Sequence, residues 1–316
     1  MKHLLLALCL AGTAQPSATP TVQGTWNSDA DNYWTRNSSE RWVSIQLTYA
    51  EHHNGVGVPE RDVPALADAR GEGPLHFALQ RDAGTIDFTG RSASGHANGD
   101  FRFFPNPDFA PGMARLGISA LSNEDVWRSA LHDVSRKFTQ DVKQQGAGGG
   151  KLDIDELVQM KIHGVTPEFI SAMRDLGYKD VPIRKLVEMR IHGVTPEFVK
   201  EFAALGYRNL DIDDLIKMRI HGVTTEMVKE LNALGYKDLA ISDLVKMRIH
   251  GVTPEYIKKM RDAGYGGVAV GKLVEFRIHG VDEDLIARAK AHGFNNLSAD
   301  DLIDLAIHGR RWLKTQ

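Results

Sequence analysis

The apolar positions follow two different periods in the two parts of the chain. Before about residue 115, apolar and polar residues alternate in short runs separated by turns rich in Gly, Asp, Asn or Ser, one of them over residues 90–99. A period of two places alternate side chains on one face of a strand, so these runs predict a small antiparallel sheet with one buried face. The alternating apolar positions are Val43, Ile45, Leu47 and Tyr49, then Leu75, Phe77 and Leu79, then Ile86 and Phe88, and finally Phe101 and Phe103.

Beyond residue 116 a unit of 29 residues recurs. In one copy Asp153 and Glu156 have the spacing of a capping box, which predicts the start of a helix, and Gly164 predicts its left-handed end. Thr166 and Pro167 suit the cap and the first position of a second helix. Each unit is therefore predicted to be two short helices joined by a three-residue corner. One histidine precedes each corner, at His163, His192, His221, His250, His279 and His308.

Helices of about ten residues are marginal alone in water, so these must be held by stacked neighbours, as in an α-solenoid. In the first helix of the unit that begins near residue 181, the apolar residues between Ile183 and Ile191 spread over about 200° of the helix surface. This spread predicts that first helices are packed between their neighbours. The narrower apolar stripe of the second helix, about 120° wide, predicts that second helices cover one side.

The sequence thus predicts an α+β fold with an antiparallel β domain over residues 15–115 and an α-helical repeat domain over residues 116–316. The repeat domain is predicted to hold a degenerate first unit near residues 122–146, five full units and a truncated last unit. Atypical end units are expected where one face of a stack has no neighbouring unit.

The first 14 residues have the pattern of an export signal. Lys2 and His3 precede an apolar run from Leu4 to Leu10, and small residues up to Ala14 form a cleavage site. Removal of this segment would remove Cys9, the one cysteine of the chain. We therefore expect an exported protein, periplasmic or secreted, with no disulfide and no membrane span after signal removal.

Charge and composition favour no class of polyanionic partner. The chain of 316 residues has a formal net charge of −3. From Lys151 onward it carries 25 basic and 25 acidic residues. Nucleic-acid binding is not expected from this balance, and no pattern implies a cofactor.

The histidine at each corner invites a metal-site hypothesis. Metal–nitrogen bonds are about 2.0–2.1 Å long, whereas stacked helices lie about 8–10 Å apart, so histidines one unit apart cannot share an ion. A histidine near the negative end of a helix dipole is a favourable structural choice. We therefore expect the column to be structural and no metal to be bound.

A basic column precedes the histidines by two positions. Its members lie within the apolar stripe by helical angle, so each charge needs a partner. One interpretation is an ion pair between units with a packed aliphatic stem, and the other is a row of cations that faces an acidic partner. The column consists of Lys161, Arg190, Arg219, Arg248 and Arg277, and its counterparts in the end units are Ala130 and Ala306.

The β domain offers little chemistry. His52 and His53 lack the spacing of a zinc helix and precede Asn54-Gly55, which predicts a hairpin turn. The stretch over residues 90–95 misses the G-x-S-x-G spacing of a nucleophile elbow by one residue. Three tryptophans are predicted to serve in packing rather than as an aromatic ligand face, namely Trp26, Trp34 and Trp42.

The repeated HGVTPEF motif and its close variants resemble repeats of uncharacterised exported bacterial proteins. They are also similar to the C-terminal extension of some membrane metallopeptidases of the beta-lactamase-sensor type. The segments LHFALQRDAGTIDFTG and GDFRFFPNP extend the first resemblance over the β domain. No activity is implied by it, and the zinc motif of the peptidases is absent from this sequence.

The corner also resembles that of a helix-hairpin-helix DNA-binding element. That family has a second glycine where this chain has Thr166, Thr195, Thr224 and Thr253. Together these features predict a non-catalytic, exported protein–protein interaction module, possible roles being envelope signalling or regulation. Nucleic-acid binding through the corners and an enzyme with a site in the β domain are the two alternatives.

Overall fold

The computed structural model describes residues 20–29, 33–36, 40–67, 72–150 and 152–309. The chain divides into two compact units, Met1–Ile162 and His163–Gln316. The predicted signal segment, residues 1–14, lies outside the described residues. Within the described part of the chain, no helix has the length and apolar content that a bilayer crossing requires.

The first unit contains an antiparallel sheet of seven strands. The strand order is β2-β3-β1-β7-β6-β5, and β4 also pairs with β3. Residues that alternate along β3, β6 and β7 are buried, which confirms the predicted period of two. The strands are β1 (Val22–Asp29), β2 (Tyr33–Arg36), β3 (Glu40–Tyr49), β4 (His52–Pro59), β5 (Gly73–Arg81), β6 (Gly84–Ala93) and β7 (His96–Pro105).

Two turns lie elsewhere than the sequence predicts. The β3–β4 turn is at Ala50-Glu51, and Asn54-Gly55 lie inside β4, where they pair with Leu47 and Gln46. The predicted turn over residues 90–99 shrinks to Ser94-Gly95, because both flanks extend β6 and β7. In both places the pairing with a long neighbouring strand outweighs the local turn preference of Asn and Gly.

Helices of the first unit cover the sheet. Helix α3 packs on β6 and β7, and the Trp127 ring stacks on Phe101 with 5.6 Å between ring centroids. The turn between β5 and β6 is tied to α4, because Asp82 accepts hydrogen bonds from the guanidinium and the backbone amide of Arg136. These helices are α1 (Pro64–Ala67), α2 (Phe109–Arg115), α3 (Asn123–Leu131), α4 (Arg136–Gln144) and α5 (Ile154–His163).

The second unit is a stack of helix pairs, which confirms the predicted helical repeat. First helices pack on first helices (α7, α9, α11, α13 and α15 in succession), and among second helices α6 packs on α8 and α10 on α12. These helices are α6 (Pro167–Asp175), α7 (Ile183–Ile191), α8 (Pro196–Ala204), α9 (Ile212–Ile220), α10 (Thr225–Ala233), α11 (Ile241–Ile249), α12 (Pro254–Asp262), α13 (Val270–His279), α14 (Glu283–Ala291) and α15 (Ala299–Asp304), with a π-helical turn over Leu305–Gly309.

The corners have the predicted chemistry. Gly222, with φ of 66°, ends α9 in the left-handed region, and Val223 donates its backbone N–H to the Met218 carbonyl. The Thr224 hydroxyl then accepts from the Met227 amide to cap α10. The degenerate unit has the same corner between α3 and α4, with Asp133 in the glycine position and Ser135 as the cap.

The tyrosines that follow four of the second helices, α6, α8, α10 and α12, join repeats that are not consecutive. Each tyrosine hydroxyl donates to a backbone carbonyl 32 residues further on, at the start of the next unit but one. The sequence pattern does not predict this contact. The pairs and their oxygen–oxygen distances are Tyr178–Leu210 (2.9 Å), Tyr207–Leu239 (2.9 Å), Tyr236–Val268 (2.7 Å) and Tyr265–Leu297 (2.9 Å).

Candidate interaction surface

The basic column makes contacts between units. Lys161 lies in the first compact unit. It pairs with Asp133 of the preceding degenerate repeat at 2.8 Å and lies over the Phe138 ring. In the second unit, arginines lie over the aromatic ring that begins the preceding second helix. The distances from guanidinium carbon to ring centroid are 5.2 Å for Arg190–Phe169, 4.8 Å for Arg219–Phe198 and 4.9 Å for Arg277–Tyr256.

Arg219, Arg248 and Arg277 also reach the preceding corner. Arg248 Nε donates to the carbonyl of His221 at 3.2 Å, so the cation meets the negative end of α9. A Cβ on Gly222 would lie 3.1 Å from Arg248 Nη2. The corner glycine therefore serves twice, because it adopts a positive φ and also leaves room for the arginine.

Three of these arginines contact rings or backbone carbonyls rather than forming ion pairs with described carboxylates. Among the described residues, no carboxylate forms an ion pair with Arg219, Arg248 or Arg277, and all three side chains are exposed. Arg219 and Arg277 thus lie over an aromatic ring, Arg248 contacts a backbone carbonyl, and all three remain accessible to solvent. We call Arg190, Arg219, Arg248 and Arg277 the arginine row.

The histidine column contributes its backbone to these contacts. The carbonyls of His221 and His250 accept from the arginines of the following unit. His192 and His308 are exposed, and the others are half-buried. Within the described ranges, no group of three or more His, Cys, Asp or Glu residues is arranged to hold a metal ion.

A row of exposed isoleucines is the feature that the sequence interpretation missed. Ile191 was counted in the apolar face of its helix, yet its side chain lies largely in solvent. The isoleucine row consists of Ile191 (54% exposed), Ile220 (54%), Ile249 (54%), Ile278 (55%) and Ile307 (47%). In the first compact unit, the corresponding Ile162 is also exposed, at 43%.

The isoleucine row is uniform although its surroundings vary. The residues three positions earlier share the same helix face and are Glu188, Lys217, Lys246, Glu275 and Asp304. Those seven positions earlier are Arg184, Asp213, Ser242, Gly271 and Asp300. Burial does not account for an isoleucine that is about half exposed in every unit, although the positions three and seven residues earlier change and only the flanking arginine and histidine are comparably uniform.

The degenerate unit shows how such a face is covered. There Leu131 occupies the isoleucine position and Trp127 the position one turn earlier. Leu131 is 5% exposed and Trp127 is fully buried, because α3 packs on β6 and β7. The isoleucine position of a first helix is thus buried in α3, whereas it is exposed throughout the isoleucine row.

The β domain presents its candidate residues at the surface or in the core. His52 and His53 are exposed on β4, and Ser92 is buried within β6. Trp26 is 1% exposed and packs edge-on against Phe77 and Phe88, which is a core position. Trp42 is half-buried, and the side chain of Trp34 lies outside the described residues. Among the described residues, these tryptophans therefore form no aromatic ligand face.

No model of a known protein family matches the chain, and no curated protein matches it. The resemblance of the HGVTPEF units to exported bacterial repeats stays a prediction. The function of the surface must therefore be inferred from its own chemistry.

Proposed function

We propose that the chain is a non-catalytic, exported protein–protein interaction module whose helical stack binds its partner through the isoleucine row. The observation that carries this proposal is the identity and exposure of the row. Contiguous exposed apolar residues on a soluble protein are typical of binding sites.

The energetics of the row suit reversible binding. First helices pack directly on one another, and helices in contact lie about 8–10 Å apart, so the isoleucines form a line rather than scattered spots. Covering the exposed half of one isoleucine would contribute about 1 kcal/mol. Several such side chains together would offset part of the free-energy cost that arises from the entropy lost on association.

The cellular setting of the proposal rests on the N-terminal sequence. A basic start, an apolar run and small residues up to Ala14 support export, to the periplasm or beyond. An exported binding module suits a role in envelope signalling or regulation, which the resemblance to exported repeats also favours.

The experiment compares two triple variants in affinity capture from an envelope extract of the source cells. I220S/I249S/I278S removes three members of the row, and serine has about the helix propensity of isoleucine. K200S/K229S/K258S changes the exposed face of second helices and is the matched control.

We expect a protein that the wild type and the control retain and the isoleucine variant releases. Equal retention by all three chains would overturn the proposal, and so would retention of nothing above background. Circular dichroism of each variant would show that the helices persist.

A further inference from the structure

The chemistry around the isoleucine row defines the partner segment more closely. We infer that the row binds an acidic segment in the polyproline II conformation, with an apolar residue at every third position. This inference rests on the proposed function, since it names the ligand class of the same surface.

Acidic character follows from the charges that remain unbalanced beside the row. Each arginine of the row immediately precedes an isoleucine, and Arg219, Arg248 and Arg277 form no ion pair with a described carboxylate. The rings beneath Arg219 and Arg277 restrict the motion of their guanidinium groups, and the hydrogen bond from Arg248 to the His221 carbonyl restricts that of Arg248, which lowers the entropy that binding would cost. A planar guanidinium so held suits two parallel hydrogen bonds to one carboxylate.

The nearby acidic groups are already engaged. Glu188 pairs with Lys185 at 2.8 Å, and Glu275 pairs with Lys272 at 2.6 Å. The carboxylates of Glu226 and Glu255 turn back to the first turns of α10 and α12, where backbone N–H groups and threonine hydroxyls lower their pKa. Arg219, Arg248 and Arg277 therefore carry charge that no described ion pair balances, although Glu283, whose pKa is lowered mainly by Lys259, is also near enough to feel Arg277.

The conformation of the segment follows from the spacing of the stack. Adjacent first helices are about 8–10 Å apart. A polyproline II chain rises about 3.1 Å per residue with three residues per turn, so every third side chain returns to one face after about 9.3 Å. A strand returns a side chain after about 6.7 Å, and an α-helix needs seven residues and about 10.5 Å.

Backbone hydrogen bonding favours the same conformation. A strand gains affinity by adding to an exposed sheet edge, but the described residues of the second unit, 163–309, are helices and turns. A polyproline II backbone stays hydrated and needs no such edge. A second copy of this chain is a poor occupant, because its arginine row would face an identical row of cations.

The test is a fluorescence anisotropy titration of the full chain with labelled peptides. The probe is a peptide of repeating Leu-Glu-Pro triplets, long enough to span the row. Three further peptides serve as comparisons. The first has Leu-Lys-Pro triplets, the second has alternating Leu-Glu pairs, and the third has heptads with the same acidic and apolar residues.

We expect the Leu-Glu-Pro peptide to bind best and to lose at least about tenfold in affinity in two variants. These variants are I220S/I249S/I278S and R219Q/R248Q/R277Q. The K200S/K229S/K258S control should bind as the wild type does, and affinity should fall as salt rises.

Several outcomes would overturn the inference. These are no binding of the Leu-Glu-Pro peptide, equal binding of the Leu-Lys-Pro peptide, and tighter binding of the alternating or heptad peptide. If the isoleucine variant still releases a captured protein while the peptide result is negative, the proposed function stands and the inference about the segment fails. If neither assay responds to the isoleucine substitutions, both fail.

Discussion

At the scale of single residues, the tyrosine that follows α8 shows how one atom joins distant parts of the stack. Tyr207 closes the end of α8 through its backbone, and its hydroxyl donates to the Leu239 carbonyl at 2.9 Å. Burial raises the pKa of the Tyr207 phenol, so the hydroxyl keeps its proton and remains a donor. A phenylalanine would preserve the packing and lose this tie.

We predict that Tyr207→Phe costs about 1 kcal/mol, because one hydrogen bond is lost and a carbonyl loses its partner. Native-state hydrogen exchange would measure this as faster exchange of amides in α9 and α11. Arg208→Ala alters the exposed neighbour and should leave exchange unchanged. Unaltered protection in the tyrosine variant would show that the hydroxyl contact does not stabilise the stack.

At the scale of helices and strands, the quality of the caps differs between otherwise equivalent helices. Ser298 and Asp301 form a reciprocal capping box at the start of α15. Ala240 occupies the same place before α11 and provides no side-chain cap, although Asp243 stands three residues on. The backbone at Ala240, with φ of −62° and ψ of 148°, already suits a capping residue.

Ala240→Ser should therefore stabilise the second unit by about 1 kcal/mol. Urea unfolding followed by circular dichroism would detect the gain as a higher midpoint. The control is Ala204→Ser at the exposed end of α8, where no cap can form and a small loss is expected. A gain of the same size in the control would dismiss the cap as the cause.

The helical repeats were predictable because the residues that end and cap each helix act on positions close to them in the sequence. Gly222, Thr224 and Val223 each act within a few residues of their position, so the corner could be derived from one unit alone. The strands β1 and β4 escaped prediction because their alternation is weak and their partners are distant in sequence. Asn54-Gly55 has strong turn chemistry, yet pairing with β3 decides its conformation.

The candidate site was predictable only in part. The arginine row was singled out because a charge in an apolar stripe needs a partner, and the structure supplies an aromatic ring and a backbone carbonyl. The ring begins the preceding unit's second helix, a contact that no spacing within one unit could indicate. The isoleucine row was missed because the angular position of a residue on its helix does not show whether a neighbouring helix covers it. A residue that packs on a neighbouring helix and a residue just beyond the packed face cannot be distinguished by helical angle alone.

At the scale of the whole molecule, the first compact unit depends on a contact between the β5–β6 turn and α4. The hydrogen bonds from Arg136 hold the pKa of Asp82 below its usual value, against the opposing effect of burial. A carboxyl whose pKa is lowered on folding contributes stability above its unfolded pKa of about 4. That contribution is lost as pH falls through the lowered folded value.

Asp82→Asn is therefore expected to destabilise the first unit by about 1 kcal/mol at neutral pH, a figure discounted because Arg136 is partly exposed to solvent. The gap between wild type and variant should close as the pH falls below about 4. Urea unfolding at a series of pH values would measure it. Asp141→Asn breaks an exposed pair with Lys137 and should show a small gap throughout. A gap for Asp82→Asn that persists at low pH would contradict the assigned ion pair.

The second unit combines a regular interior with a uniform outer row. Its interior is fixed by caps, tyrosine ties and stacked arginines, and each of these has a partner within the stack. About half of each side chain in the isoleucine row remains exposed, and we propose that a molecule outside the stack covers it.

The most direct measurement is site-specific photo-crosslinking in the envelope extract. A photoreactive residue would replace Ile220, Ile249 or Ile278 in turn, and in matched chains Lys200 or Glu230 on the exposed face of the second helices. We predict that one and the same protein is crosslinked from all three isoleucine positions and not from the second-helix positions. Crosslinking from the second-helix positions alone, or no adduct from the isoleucine positions, would contradict the assignment of the row as the binding surface.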